Sequence, residues 1–375
     1  MALTSRERLL KVLGKQEPDR VPVWMLFPRE RLSYYVDVYR LPAYAEIAPF
    51  IYAESDWLDR RSIATPYLFT ANAQFEQVVL YEGDTRVVHA RLDTPLGPLE
   101  QEERHDLASS ASWQTRYLLQ DLSDLEKALA IPYEPPRPDL AEFREAAARL
   151  GDAGLMMLNL STPIECVSEY AAPANFALWI ATDLPALTRF MDVAFEREYR
   201  FVEEALRQGA GPVFFVTGTE FAAPPFTSPA IFRRLCTHYN APLFELIHRY
   251  GGHVIVHHHG RAKAVLEEIV ESGADGVHPV EEPPVGDMPV AEAKLTMAGR
   301  ACIVGSVQYD DISRLPEEEF DALVRRQIAD GAAGGGMILA PTAGPYETVI
   351  SPRHARNLRR MVEIARESRY PLRGH

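Results

Sequence analysis

From about residue 150 onward the chain alternates between short apolar runs and longer amphipathic stretches. The apolar runs are GLMMLNL (154–160), PVFFVTG (212–218), HVIVHHH (253–259), GVHPV (276–280), ACIVGSV (301–307) and GMILAP (336–341). Runs this short and this apolar predict strands buried on both faces, as in a parallel sheet. Between them lie segments of helical period. In RAKAVLEEIVESG, Val265, Leu266, Ile269 and Val270 share one side and Gly273 supplies the stop. Many closely spaced strand–helix repeats predict an α/β fold of the closed (β/α)8 TIM type rather than a doubly wound sheet. No GxGxxG follows any strand, which argues further against a dinucleotide-binding domain.

The first 150 residues follow a different pattern. TSRERLLKVLGKQ predicts a helix capped by Thr4 or Ser5, with Leu9, Leu10 and Leu13 on one face. EPDRVPVWMLF then turns into a buried strand. Residues 62–120 alternate apolar and polar positions and carry turn signals at Gly83-Asp84 and Pro95-Leu96-Gly97, which predicts an N-terminal β-hairpin or meander insertion. In YAESDWLDRR, Asp56 and Asp59 read as a solvated helix start. The whole chain, 1–375, reads as a single barrel domain carrying that insertion.

Charge and composition narrow the function. The formal net charge is −14 and no basic stripe is present, so a nucleic-acid groove is excluded. The same balance disfavours a highly anionic substrate. The three cysteines, Cys166, Cys236 and Cys302, have no CxxC spacing and read as packing residues. The charged, amphipathic start lacks the apolar core of a signal peptide, and no apolar run reaches the ~18 residues of a membrane span, so a cytoplasmic setting is expected.

In a barrel of this type the chemistry sits at the carboxyl ends of the strands. Asn159, Glu220, His257, His259, His278, Glu281, Glu282 and Thr342 all fall there. Residues two apart on a strand point the same way, so His257 and His259 face the barrel mouth together and His258 faces the helices. Glu281 arrives from the loop after the next strand. Two imidazoles and one carboxylate with an open fourth position is the layout of a catalytic zinc site, although copper, nickel and iron accept the same ligands. The bland alternatives are a solvent-facing histidine pair, a charged loop at Glu281-Glu282 and a hydrogen-bonded core histidine at 278. Asn159, Glu220 and His278 are the candidate catalytic residues beside the metal set.

The sequence resembles the uroporphyrinogen decarboxylase superfamily along nearly its whole length. The matching elements are TSRERLLKVLGKQEPDRVPVW, AESDW, TPLGPLEQEE, RYLLQDLSDLEKAL, the segment from TSPAIFRRL to GGHVIVHHHG, SGADGVHPVEEPPVGDMPVAEAKLTMAGRACIVGSV and GGGMILAPTAGPYETVISPRHARNLRRMVEIARE. The resemblance implies one of two activities: metal-free porphyrinogen decarboxylation, or zinc-dependent methyl transfer with a corrinoid protein. The decarboxylases hold substrate carboxylates with a two-arginine motif. Here WMLFPRERLSYY offers Arg29 and Arg31 without that motif, while Asp56 matches the decarboxylase aspartate. The methyltransferases carry a His-x-Cys-Gly zinc motif where this chain has His257-His258-His259-Gly260, and a later cysteine where it has Ala343. One ligand is thus substituted and one lost, and the resemblance makes Glu281 the replacement.

The expectation is therefore a zinc-dependent, methyltransferase-like enzyme. It would exchange a methyl group between a small substrate and a corrinoid protein, with a homodimer implied by the resemblance alone. The alternatives are a metal-free decarboxylase or lyase using the histidines as acid and base, and a small-molecule-binding barrel without catalysis. Contact of Tyr346 with substrate is left open.

Overall fold

The structure is a computed structural model and describes residues 3–29, 36–107 and 112–372. Arg31 lies outside the described residues. The strands, numbered along the chain, are β1 (Trp57–Arg61), β2 (Phe75–Glu82), β3 (Thr85–Leu92), β4 (Leu99–Asp106), β5 (Ser112–Arg116), β6 (Gly154–Leu160), β7 (Val213–Val216), β8 (His253–His257), β9 (Gly276–His278), β10 (Cys302–Val307) and β11 (Met337–Pro341). Internal contacts divide the chain into two compact units, one of residues 1–62, 140–160 and 210–375, the other of residues 63–139 and 161–209.

The first unit holds the predicted parallel sheet, in the order β1-β6-β7-β8-β9-β10-β11. Strictly sequential order with helical crossovers is the TIM-type topology. The eighth position belongs to residues 21–27, which do not form a regular strand. Trp24 N–H donates to the Leu339 carbonyl at 2.8 Å and Leu339 N–H to the Pro22 carbonyl at 2.9 Å, while Asp56 N–H donates to the Val23 carbonyl at 2.8 Å. The segment thus bonds to β11 on one side and to the foot of β1 on the other. Pro22 has no donor, and Leu26 stands at φ 54°, so a continuous ladder cannot form.

The interior follows the period of two. Leu58, Leu155, Met157, Val213, Phe215, Ile255, Cys302, Val304, Ile338 and Ala340 form one buried cluster. The helix Ser5–Leu13 adds Leu9, Val12 and Leu13 to it. Thr4 caps this helix as expected and Glu7 completes a capping box. Apart from these, Trp24 and Leu26 bring the irregular eighth segment into the same core.

Asp56 and Asp59 are not a solvated helix start. Asp56 is fully buried and accepts from Arg8 Nη1 at 2.7 Å, Arg20 Nη1 at 2.7 Å and the Val23 N–H at 3.0 Å. Asp59 lies within β1, buried and paired with Arg61 at 3.2 Å. The arginines that neutralise Asp56 come from residues 36 and 48 positions away, a contact no local pattern encodes.

The second unit contains the antiparallel meander β2-β3-β4-β5 predicted from the alternation. Glu82 pairs with Thr85 across a two-residue turn, and Gly83 takes φ 59° there, the left-handed value such hairpins need. The unit also takes in residues 161–209, whose long helix Leu184–Arg207 packs Phe201 against Phe69 with ring centroids 5.8 Å apart.

Candidate active site

The inward positions of β8 continue from Ile255 to His257, and the chain then leaves the ladder with His258 and His259. His257 and His259 lie edge-to-face with ring centroids 4.5 Å apart. His258 turns away as the strand period predicts. Its Nδ1 pairs with Thr219 Oγ1 at 2.9 Å, and its ring lies edge-on to Phe232 at 6.1 Å. Burial pushes the His258 imidazole down to about 4, with the His259 charge adding to the effect, so the ring stays neutral.

Each histidine of the inward pair has a partner. His257 Nδ1 meets His278 Nδ1 at 2.9 Å and the two rings stack at 5.1 Å. One of these nitrogens must carry the proton and the other accept it, so the pairing fixes complementary tautomers. His259 Nδ1 stands 3.3 Å from Glu281 Oε2, and the same oxygen accepts the Gly260 N–H at 2.6 Å. Glu281 is buried, whereas the His259 side chain is 45% exposed, so the imidazole is the member with room to turn. The cis peptide His278-Pro279 and Val280 lead directly from the end of β9 to Glu281, and the chain turns only after Glu282.

The electrostatics divide the rings. Burial holds His257 well below the usual imidazole range, and His278, His259 and Arg60 push it further down. Burial does the same to His278, again with His259 and Arg60. His259 is also penalised by burial, but the hydrogen bond and charge of Glu281 and the charge of Glu220 outweigh that and raise it. One ring is thus biased toward protonation beside two that resist it.

The remaining sequence candidates are placed as follows. Glu220 lies on the turn Thr219–Ala222 after β7, close enough for its charge to act on His259. Asn159, one residue before the end of β6, donates to Ser62 Oγ at 2.8 Å rather than to a histidine. Glu282 is held by Arg326 and Gln327, so it supports the loop beneath Glu281. Thr342 bonds to Gln308 at 3.2 Å, and Tyr346 packs on Tyr309 at 4.6 Å. Arg29 lies over the rings of Tyr52 and Trp57.

Arg60 is the residue that the sequence pattern missed. Its guanidinium lies 4.7 Å over the Phe215 ring, and Phe215 contacts both His257 and His278. Identifying WLDRR as a strand would have exposed it, because Leu58 and Arg60 then share the inward face.

The donor set suits a divalent metal: imidazoles and a carboxylate around a cleft that retains one exposed ring. The separation of His259 Nδ1 and Glu281 Oε2, 3.3 Å, equals the edge of a tetrahedron with metal bonds of ~2.0–2.1 Å. As the side chains stand, however, the four groups are engaged in two pairs. Among the described residues no group of three or more histidine, cysteine, aspartate or glutamate side chains converges to hold an ion.

A model of the uroporphyrinogen decarboxylase family matches residues 124–368. The chain belongs to the uroporphyrinogen decarboxylase family. Among solved structures, a methyltransferase from Methanosarcina mazei superposes with a TM-score of 0.61, covering 97% of this chain and 99% of that one at 17% identity. At that identity the likeness shows a shared fold. A Bacteroidetes-affiliated GH5 cellulase reaches a TM-score of only 0.34, over 64% of this chain and 74% of its own, at 11% identity. No curated protein matches the sequence. Among the described residues, no helix is long and apolar enough to cross a membrane.

Within the family, Asp56 now has a clear position. It stands at the foot of β1, locked to Arg8 and Arg20, whereas the histidines stand at the ends of β8 and β9. A residue at the foot of a barrel strand serves the fold rather than the rim chemistry.

Proposed function

We propose that this chain is a zinc-dependent, methyltransferase-like enzyme that exchanges a methyl group between a small substrate and a corrinoid protein. His257, His259 and Glu281 hold the metal in this reading. The observation that carries it is the pairing of His259 with buried Glu281 at a spacing suited to two ligands of one ion, beside His257. Zinc in a set of two imidazoles and one carboxylate supplies a Lewis acid harder than a thiolate-bound zinc, suited to polarising an ether or carboxyl oxygen.

The other residues have distinct tasks. His278 orients the His257 ring through the 2.9 Å Nδ1 contact, as outer-shell partners of metal-binding imidazoles do. Gly260 N–H fixes the Glu281 carboxylate. Trp24 and Phe215 pack below the His257–His278 pair and keep water from its lower side. Arg60 brings a cation to the same wall.

The test is metal analysis of protein purified without added metal, followed by assay with methylated corrinoid monitored by its visible spectrum. The reading expects zinc close to stoichiometric, lost in His257→Ala. Metal below about a tenth of an equivalent, with no change on His257→Ala, sinks it.

One observation favours a second reading, a metal-free lyase. His259 is raised while His257 and His278 are lowered, and such a separation is how neighbouring groups divide acid and base roles. Activity that survives exhaustive chelation and needs no corrinoid would select this reading over the first.

A further inference from the structure

We propose that the N-terminal face of the barrel unit carries a second, anion-binding site, in which Arg8, Arg20, Arg366 and Arg369 take the phosphoryl group of a small molecule. These four arginines, with Ser5 and Asp19, line a cavity of about 320 Å³. That volume lies at the lower end of the range for small-ligand sites. Asp56, next to the cavity, immediately precedes β1, so the cavity is at the strand end opposite the histidines. A ligand here is not the substrate of the rim site.

Cations exceed acids in this lining. Among the described residues Asp19 is the one carboxylate in the lining, and even with Asp56 and Glu54 counted the four arginines outnumber the three acids. This occurs in a chain whose net charge is −14. Arg8 and Arg20 form a fixed floor. Arg8 donates to Asp19 at 2.7 Å and to Asp56 at 2.7 Å, and Arg20 chelates Asp56 at 2.7 and 3.1 Å. Both are buried.

Arg366 and Arg369 are exposed and form the wall. Arg366 shares Glu54, at 2.9 Å. Arg369 makes no ion pair with any described residue, although its backbone bridges to Arg20. Two held guanidinium groups and two adjustable ones suit a tetrahedral oxyanion, which accepts bidentate bonds from several directions. Mutual repulsion adds a driving force. Arg20 is held below its usual range, by burial first and then, against the pull of Asp56, by the charges of Arg8 and Arg366.

The test is calorimetric titration of the full chain with inorganic phosphate, pyrophosphate and citrate at fixed ionic strength. Saturable one-site binding of phosphate is expected, with pyrophosphate tighter than citrate. The double substitution Arg366→Ala with Arg369→Ala should weaken pyrophosphate by about tenfold or more, the worth of one charge-assisted bond. Arg369→Lys should retain part of the affinity, and His257→Ala should leave it unchanged. Absence of saturation, or binding unaffected by the double substitution in a normally folded protein, overturns the site. Citrate binding as tightly as pyrophosphate overturns the phosphoryl assignment.

Discussion

Glu281 joins His259 to the backbone of its own strand end: one carboxylate oxygen faces His259 Nδ1 at 3.3 Å and accepts the Gly260 N–H at 2.6 Å. Glu281→Gln keeps an oxygen for Gly260 but removes the charge that supports His259. If Glu281 completes the metal set, the variant should lose more zinc affinity than the roughly 10–100-fold that loss of an outer-shell partner costs, while its melting temperature barely moves. Competition with a chromophoric chelator measures this. Unchanged affinity would remove Glu281 from the ligand set.

Thr219 offers a control from the other side of the same strand end. Its hydroxyl is the partner of His258 Nδ1 at 2.9 Å, deep in a site where His258 is 1% exposed. Thr219→Val keeps the shape and leaves that nitrogen unsatisfied, which costs about 1–3 kcal/mol. Urea denaturation should show the loss. Metal content should stay at the wild-type level, because His258 faces Phe232 and the helices.

Asp56 separates fold from chemistry. Replacing it with alanine strands Arg8 and Arg20, both nearly inaccessible, without a shared anion. Breaking a buried pair in this way costs about 3–5 kcal/mol. Asp56→Ala should therefore lower thermal stability sharply, and the folded fraction should keep its kcat. A variant of normal stability with abolished turnover would restore the decarboxylase-type role that the resemblance assigns to this position.

Most of the barrel unit was legible because its information is local. Each apolar run from β6 to β11 became a strand, and the period of two correctly paired His257 with His259 and set His258 apart. What escaped depends on distant partners. Arg60 acquires meaning only when Phe215 and the histidines surround it, and β1 itself reads as charged surface in isolation. His278 lies on a three-residue strand, too short for any period to show that its ring stacks on His257. The eighth barrel position was legible as apolar, but Pro22 and the left-handed Leu26 turn it into an irregular segment.

Glu198 gives the second unit its own pH signature. It lies on the helix Leu184–Arg207, fully buried, and neither carboxylate oxygen has a hydrogen-bond partner among the described residues. Burial pushes its carboxyl well above the usual range, and the nearby Glu165 adds to the shift. The native state therefore holds this proton more tightly than the unfolded chain. The stability that follows is fully present below the ordinary value of 4.5 and is lost as pH rises through the folded-state value. Glu198→Gln removes the titration, so its stability should fall less than the wild type's as pH rises above 4.5. Glu198→Leu also removes the unsatisfied oxygens and should gain about 1–3 kcal/mol at neutral pH. Urea midpoints collected across this pH range for the three proteins decide it. A wild-type curve parallel to that of Glu198→Gln would mean that Glu198 is not the group being titrated.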